Sequence, residues 1–223
     1  ILLAAGKGKR FNSKEKKQFI NYKNKPLFMH SIEKAKKSNL FKKIVLVTNK
    51  QIKIKNVNVI KGGKERSDSS FNALKYLQNK KIKNVFIHDA ARPNFSMKLI
   101  DKLFKELRFN KCVVPTIKIN DSVKYKNKKG IINLNRKNVY LTQTPQGFDY
   151  KELYKLQSYK SSKITDDANL FISAGKKVKF INGEINNKKI TINSDIKINN
   201  SIKYGIGFDV HRLVPKKKLY LAG

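Results

Sequence analysis

The sequence is short of several residue types, and each shortage excludes a class of protein. It has 1 Cys and no Trp among 223 residues, so a disulfide framework is excluded and a reducing cytoplasmic compartment is the default expectation. No apolar run approaches the ~20 residues of a membrane span. The apolar start at 1–5 is too short for a signal peptide and lacks a basic leading region. We therefore expect a globular cytoplasmic protein with no membrane segment.

Acidic residues are also scarce, 15 against 51 basic ones, which gives a formal net charge of +36. Such a charge suggests a nucleic-acid-binding module. However, only six of the basic residues are arginine, the side chain that best recognises phosphates and base edges. The lysines are spread over nearly every segment, and Asn and Ile are abundant, as in proteins encoded by AT-rich genomes. We therefore interpret most of the charge as a solvated lysine surface and expect no nucleic-acid partner.

Runs of β-forming residues alternate with stretches of helical periodicity along most of the chain. Ser96 is a favourable N-cap, and Leu99, Leu103 and Leu107 lie behind it at helical spacing. Apolar strands separated by helices predict an α/β fold with a mostly parallel sheet flanked by helices. The predicted strands are 1–4, 43–48, 57–60, 85–88, 111–117, 177–181 and 190–193, and the predicted helices are 26–38, 65–77, one after Ser96, 149–159, 166–174 and 194–202.

The middle of the chain interrupts this alternation. Residues 122–125 and 131–134 flank a polar turn that ends at Gly130, which is typical of a β-hairpin. The two strands are too polar for a buried pair. We therefore predict a projecting hairpin arm over about 120–142.

Three segments that follow predicted strands carry candidate chemistry. Residues 6–10 form a basic glycine loop that can either cradle phosphates or be a plain turn. Gly62 and Gly63 allow close backbone approach before a helix, as an ordinary tight turn also would. Asp89 and Arg92 follow a buried strand, where either a ligand site or a salt bridge is expected. His88 is expected to be a satisfied strand-end histidine rather than a catalyst.

The order of these segments is more specific than any one of them. AAGKGKRF, the Lys17-Gln18 pair, GGKERSDS, HDAARP, TQTPQGF, ITDDA and KKITI follow one another along the chain. In this, residues 1–202 closely resemble the 2-C-methyl-D-erythritol 4-phosphate cytidylyltransferases of non-mevalonate isoprenoid biosynthesis. The resemblance implies a Rossmann-like nucleotidyltransferase. Such an enzyme transfers CMP from CTP to 2-C-methyl-D-erythritol 4-phosphate, giving 4-diphosphocytidyl-2-C-methyl-D-erythritol and pyrophosphate.

The resemblance also implies roles for individual residues. The family commonly has a proline where this chain has Lys16, so Lys16 and Lys17 compete for one phosphate-contacting role. Lys188 similarly adjoins Lys189, but the spacing to Ile190 and Thr191 favours Lys189. The implied catalytic residues are Arg10, Lys17, Arg136 and Lys189, and the implied substrate-binding residues are Gly6, Gly8, Gly62, Gly63, Ser69, Asp89, Arg92, Thr144 and Thr165.

Partners and cofactors follow from the same resemblance. In the family the arm reaches into a second subunit, so a homodimer is implied. Mg²⁺ is expected, held chiefly by the triphosphate, because this ion usually keeps few protein ligands. Two alternatives stay open: a cytidylyltransferase for another polyol phosphate such as ribitol 5-phosphate, and a non-catalytic dimerisation partner. Retention of the implied catalytic residues counts against the second.

Residues 203–223 do not fit that domain. GIGFDVHRL and the following LYLAG resemble the opening of 2-C-methyl-D-erythritol 2,4-cyclodiphosphate synthase, a lyase in which Asp209 and His211 would be two zinc ligands. Residues two apart on a strand point to the same face, so the spacing is suitable. Catalytic zinc needs about three protein ligands. We therefore expect a cytidylyltransferase domain at 1–202, the start of a second domain at 203–223, and no complete cyclase site within this chain.

Overall fold

The computed structural model describes residues 1–6, 8, 11, 16–159, 166–192, 194–197 and 215. Strands and helices alternate along this part of the chain, as the sequence predicts. The strands are β1 (Leu2–Leu3), β2 (Asn21–Tyr22), β3 (Lys25–Pro26), β4 (Val45–Val47), β5 (Asn58–Ile60), β6 (Asn84–Asp89), β7 (Cys112–Lys118), β8 (Val123–Asn127), β9 (Gly130–Leu134), β10 (Tyr140–Thr142), β11 (Gln146–Asp149) and β12 (Lys179–Asn182). The α-helices are α1 (Leu27–Lys37), α2 (Arg66–Tyr76), α3 (Met97–Glu106), α4 (Tyr150–Ser158), α5 (Ala168–Ser173) and α6 (Ser194–Lys197).

The main sheet has eight strands in the order β10-β7-β11-β6-β1-β4-β5, with β12 also paired to β7. β1 pairs in parallel with β4 and β6, β4 with β5, and β12 with β7. β10 and β11 run the other way. The predicted mostly parallel sheet is confirmed, and β1, β4 and β6 end at one edge of it.

Helices cover both faces of this sheet. Val85 and Ile87 of β6 pack in a cluster with helices α2, α4 and α5, whereas Phe86 packs with α3 in a second cluster. Successive strand residues point to opposite faces, so a strand buried on both sides must be apolar throughout. The predicted cap of α3 is also present, because the Ser96 side chain accepts a hydrogen bond from the Leu99 N–H at 3.1 Å.

The predicted arm is an antiparallel hairpin of β8 and β9 that forms its own two-stranded sheet. Gly130 has a φ of +129°, which favours glycine at this turn. Tyr125, Ile131 and Ile132 of the hairpin are exposed. In the part of the chain that the structure describes, no helix is long and apolar enough to cross a membrane.

The strand predicted at 190–193 is wrong for the residues that the structure describes. Ile190 is buried but irregular, and its N–H donates to the Ala91 carbonyl at 2.8 Å. The N–H groups of Thr191 and Ile192 instead donate to the Asp195 carboxylate, at 2.6 and 3.0 Å. A side chain therefore satisfies the backbone that a neighbouring strand would have paired. Of the helix predicted at 194–202, α6 covers 194–197 and the rest lies outside the described residues.

Candidate active site

A cleft opens where β1 and β6 end. A cavity of about 250 Å³ adjoins a larger one of about 870 Å³, and the two share Ala5, Gly6, Gly8, Arg66 and Ser69. This lies at the carboxyl ends of parallel strands, the usual ligand position in open α/β sheets. The smaller cavity is also lined by Lys17, Gln18, Asp89, Ala91, Lys189 and Thr191, and the larger one by Lys16, Asn49, Gly62, Gly63 and Lys64.

The glycine pair beside the larger cavity is required by packing. A Cβ on Gly62 would lie 2.2 Å from the Ala5 Cβ, and one on Gly63 would lie 2.3 Å from the Asp68 Cβ. The Gly63 N–H donates to the Ser69 hydroxyl at 3.0 Å. The backbone at Gly62 and Gly63 therefore packs against the loop after β1 and the start of α2 more closely than a residue with a Cβ could.

Lys17 and Gln18 lie on one 3₁₀ turn, Lys17–Phe19, but their side chains contact different parts of the cleft. The buried Gln18 amide donates to the carbonyls of Ala4 and Gly6, at 2.7 and 3.0 Å, and so fixes the loop after β1. The Lys17 ammonium lines the smaller cavity and donates to the Ile190 carbonyl at 2.9 Å. Lys16 is exposed and faces the larger cavity. The geometry thus separates the two lysines that the sequence leaves in competition.

Asp89 is the centre of the charged residues in the cleft. Its carboxylate lies 3.3 Å from the Arg66 Nε and 2.6 Å from the Lys189 Nζ. Burial alone would raise the pKa of Asp89, but Arg66, Lys189 and Arg92 together hold it far below its usual range. The exposed Lys188 has no part in this contact. Asp89 and Lys189, 100 positions apart in the chain, are thus brought together.

Arg66 is a site residue that the sequence reasoning missed. Its second ion pair is with Asp167, whose carboxylate is fully buried and lies 2.7 Å from the Arg66 Nη1. Ser70 and Gln157 also donate to Asp167, each at 2.7 Å. The sequence does contain one indication of this role, the rarity of arginine. In a lysine-rich chain, an arginine that follows a glycine pair indicates a need for a planar cation that can bond several partners at once.

His88, Thr144 and Arg92 form a closed hydrogen-bond arrangement behind Asp89. The Asp89 N–H donates to the Thr144 hydroxyl at 3.0 Å, and that hydroxyl lies 3.0 Å from the His88 Nδ1. The His88 Nε2 lies 3.0 Å from the Arg92 carbonyl. One proton assignment satisfies all three contacts: Thr144 donates to the Nδ1, and the Nε2 carries the imidazole proton. His88 is therefore the satisfied strand-end histidine that was expected.

This arrangement predicts a pH dependence of stability. Burial lowers the pKa of His88 from 6.5 to about 3. The unfolded chain binds a proton near pH 6.5 and the folded one does not, so stability is highest above 6.5 and falls as the pH drops toward 3. Urea unfolding between pH 6 and 4.5 should show His88→Gln losing stability less steeply than the parent, by about 1 kcal/mol per pH unit. Parallel curves for the two proteins would contradict this prediction.

The structure does not place the remaining implied residues along the two cavities. Arg92 and Thr144 do not line either cavity, and Arg92 donates to the carbonyls of Asn187 and Thr142 at 2.9 and 3.3 Å. Arg136 is exposed at the base of the arm, where its guanidinium donates to the Asn120 carbonyl. Four implied residues lie outside the described residues: Arg10, Thr165, Asp209 and His211.

The donors available to a metal ion near the cleft are few. Among the described residues, no group of three or more His, Cys, Asp or Glu side chains is placed to hold a metal. Asp89 is the one carboxylate among the described residues that line the smaller cavity, and both of its oxygens contact cations. Among the described residues, the smaller cavity therefore offers a metal ion no carboxylate oxygen that is not already in contact with a cation.

Comparisons with known proteins agree on a family. The family model for 2-C-methyl-D-erythritol 4-phosphate cytidylyltransferase matches residues 1–203. A bifunctional enzyme IspD/IspF of Pelagibacter ubique is 60% identical over 230 residues, covering 100% of this chain but 62% of that protein. A 2-C-methyl-D-erythritol 4-phosphate cytidylyltransferase of Clostridium botulinum is 35% identical over 220 residues, and the match covers 91% of this chain and 95% of that protein.

Solved structures give the same result. The bifunctional IspDF of Campylobacter jejuni has a TM-score of 0.79 at 33% identity, covering 88% of this chain and 52% of that one. The 4-diphosphocytidyl-2C-methyl-D-erythritol synthase of Anaerococcus prevotii has a TM-score of 0.77 at 30% identity, and the match covers 89% of this chain and 94% of the synthase chain.

Proposed function

Since the chain belongs to the 2-C-methyl-D-erythritol 4-phosphate cytidylyltransferase family, we propose that it transfers CMP from CTP to 2-C-methyl-D-erythritol 4-phosphate and releases pyrophosphate. The observation that carries this proposal is the pairing of Arg66 and Lys189 with Asp89 at the end of β6, with Lys17 lining the same cavity. It lies beside a glycine-lined cavity large enough for a nucleotide.

The chemistry explains why cations are needed and a covalent nucleophile is not. An oxygen of the acceptor phosphate attacks the α-phosphorus of CTP, the bond from that phosphorus to the bridging oxygen breaks, and pyrophosphate leaves. Two anions must approach, and charge builds on the phosphoryl oxygens in the transition state, so positioned donors lower the barrier. Lys17 is proposed to contact the CTP phosphates, and Lys189 the attacking phosphate.

The rest of the site is assigned on the same basis. The backbone of Gly6 and Gly8 is proposed to cradle the triphosphate, and Gly62, Gly63 and Ser69 to lie along the cytosine and ribose. Mg²⁺, when bound with the nucleotide, would neutralise charge on the phosphates. The family roles of Arg10, Thr165 and the arm residue Arg136 are kept as proposals, with Arg136 acting in a homodimer through the arm.

We also propose a division at about residue 202. The chain covers 62% of a Pelagibacter ubique protein named as bifunctional, which supports a second, cyclodiphosphate synthase activity for the whole protein. Asp209 and His211 are proposed as two of its zinc ligands.

A cytoplasmic location is also proposed, and it agrees with the single buried Cys112.

The direct test is pyrophosphate release with CTP and Mg²⁺ in the presence of each acceptor. Methylerythritol phosphate should support turnover, and ribitol 5-phosphate at the same concentration should give at least about 100-fold less, because a site built to hydrogen-bond one polyol leaves polar groups unpaired with another. Equal or greater turnover with ribitol 5-phosphate would transfer the proposal to that alternative. No CTP-dependent release with either acceptor would reject the cytidylyltransferase function.

A further inference from the structure

We propose that Gln143 and Asn187 are positioning residues that hold the segment 183–190, and through it Lys189, against the active site. The segment has no regular secondary structure, so no strand ladder fixes it. Two buried amide side chains take that role instead. The proposal rests on the function proposed above, and its tests are chosen so that the two can fail separately.

Gln143 lies between β10 and β11 and is 2% exposed. Its side-chain amide pairs with both backbone groups of Glu184: the Nε2 donates to the Glu184 carbonyl at 2.8 Å, and the Oε1 accepts from the Glu184 N–H at 3.0 Å. Its own N–H donates to the Pro115 carbonyl of β7 at 2.8 Å. The Gln143 amide therefore substitutes for one residue of a strand partner and ties the segment to the sheet.

Asn187 is fully buried and joins the segment to the substrate side. Its Nδ2 donates to the Thr144 carbonyl at 2.9 Å. Its carbonyl accepts from the Arg92 Nη1 at 2.9 Å. Arg92, implied by resemblance as a substrate contact, is thus directed at backbone carbonyls in this structure, and Asn187 holds it there.

The fit around Gln143 depends on a glycine. A Cβ on Gly183 would lie 2.5 Å from the Gln143 Oε1, and the Gly183 N–H donates to the Thr116 carbonyl at 2.8 Å. The segment is therefore fixed at Gly183, Glu184 and Asn187, and its last residue, Ile190, is held by the Ala91 carbonyl at 2.8 Å. Lys189 lies two positions after Asn187 and contacts Asp89 at 2.6 Å. The reach of its ammonium is set by the places where Asn187 and Ile190 are held on either side of it.

A double-mutant cycle separates this role from a merely structural one. We expect Asn187→Ala to lower kcat about 10- to 100-fold in the parent protein but less than about 3-fold in a Lys189→Ala background, because residues that act through one another are not additive. The same factor in both backgrounds would overturn the proposal. Asn110→Ala is the matched control: its amide bonds the Glu106 carbonyl at 3.0 Å beyond the far end of α3, and its effect should be small and additive.

Two further measurements keep the proposal testable. If Asn187→Ala does not fold, Gln143→Asn keeps the amide but is one methylene too short to span Glu184, and the same non-additive pattern is expected. If the parent protein proves inactive, acylation of lysines read by mass spectrometry tests the position of Lys189 directly. Its labelling rate should rise several-fold in Gln143→Asn while that of the exposed Lys98 stays constant. An unchanged rate at Lys189 would overturn the proposal whatever the substrate.

Discussion

Lys17→Ala is expected to lower kcat about 100- to 1000-fold while leaving the protein folded. The Lys17 ammonium is held at the smaller cavity by the Ile190 carbonyl at 2.9 Å, so its position is set before the nucleotide binds. A preorganised cation stabilises charge that develops in the transition state more than charge in the ground state. Initial rates at saturating CTP and methylerythritol phosphate measure this, and KM for CTP should change far less than kcat.

Two other lysines make the result interpretable. Lys98 is exposed on α3 and lines neither cavity, so Lys98→Ala controls for the loss of one positive charge and should retain parent kcat. Lys16→Ala removes a lysine of the larger cavity and should raise KM for CTP more than it lowers kcat. A near-normal kcat in Lys17→Ala, with the large loss in Lys16→Ala instead, would assign the role to the neighbour.

Asp167→Asn is expected to destabilise the protein by about 3 kcal/mol, because neutralising one partner of a buried ion pair removes the closer of the two carboxylates that balance the Arg66 charge. Asp167 is 0% exposed and accepts from Arg66, Ser70 and Gln157. An asparagine cannot accept through both of its terminal atoms. For a chain of 223 residues this corresponds to a Tm lower by about 6 to 12 °C, measured by calorimetry.

The adjacent aspartate provides the control. Asp166 is partly exposed, and its contacts at 3.0 to 3.4 Å are with the neutral groups of Thr142, Gln146 and Asn169. Asp166→Asn should therefore cost less than about 1 kcal/mol. Equal losses of Tm in the two variants would show that the pairing of Asp167 with Arg66 contributes no specific stability.

Local pattern was sufficient to predict the layers of this fold. The apolar strand ending at His88, the Ser96 cap and the Gly130 turn each depend on residues close together in the chain, and each is present in the structure. The strand predicted at 190–193 is wrong for the described residues, because local pattern does not show which group their backbone N–H groups bond. Alternation at Lys189 to Ile192 resembles a strand, but the Asp195 carboxylate takes the amides that a strand would pair.

The site depends on contacts that local pattern cannot show. Arg66 and Asp167 are 101 positions apart, and Gln143 and Glu184 are 41 apart. Resemblance to the family supplied Asp89 and Lys189, but it did not indicate the contact of Arg66 with Asp89, or those of Gln143 and Asn187 with the segment that carries Lys189 and with the Thr144 carbonyl. Side chains that act on other side chains become apparent only when the sheet has brought their segments together.

The ion pairs at Asp89 have a consequence for turnover. Arg66 and Lys189 are matched by Asp89 and Asp167, so these four side chains sum to zero formal charge even though the whole chain carries +36. These carboxylates fix Arg66 and Lys189 without adding to the positive charge of the cleft, which Lys16, Lys17 and Lys64 supply. Under the proposed function, we expect this pairing to limit how tightly pyrophosphate is held after the chemical step, when product release can set the turnover rate.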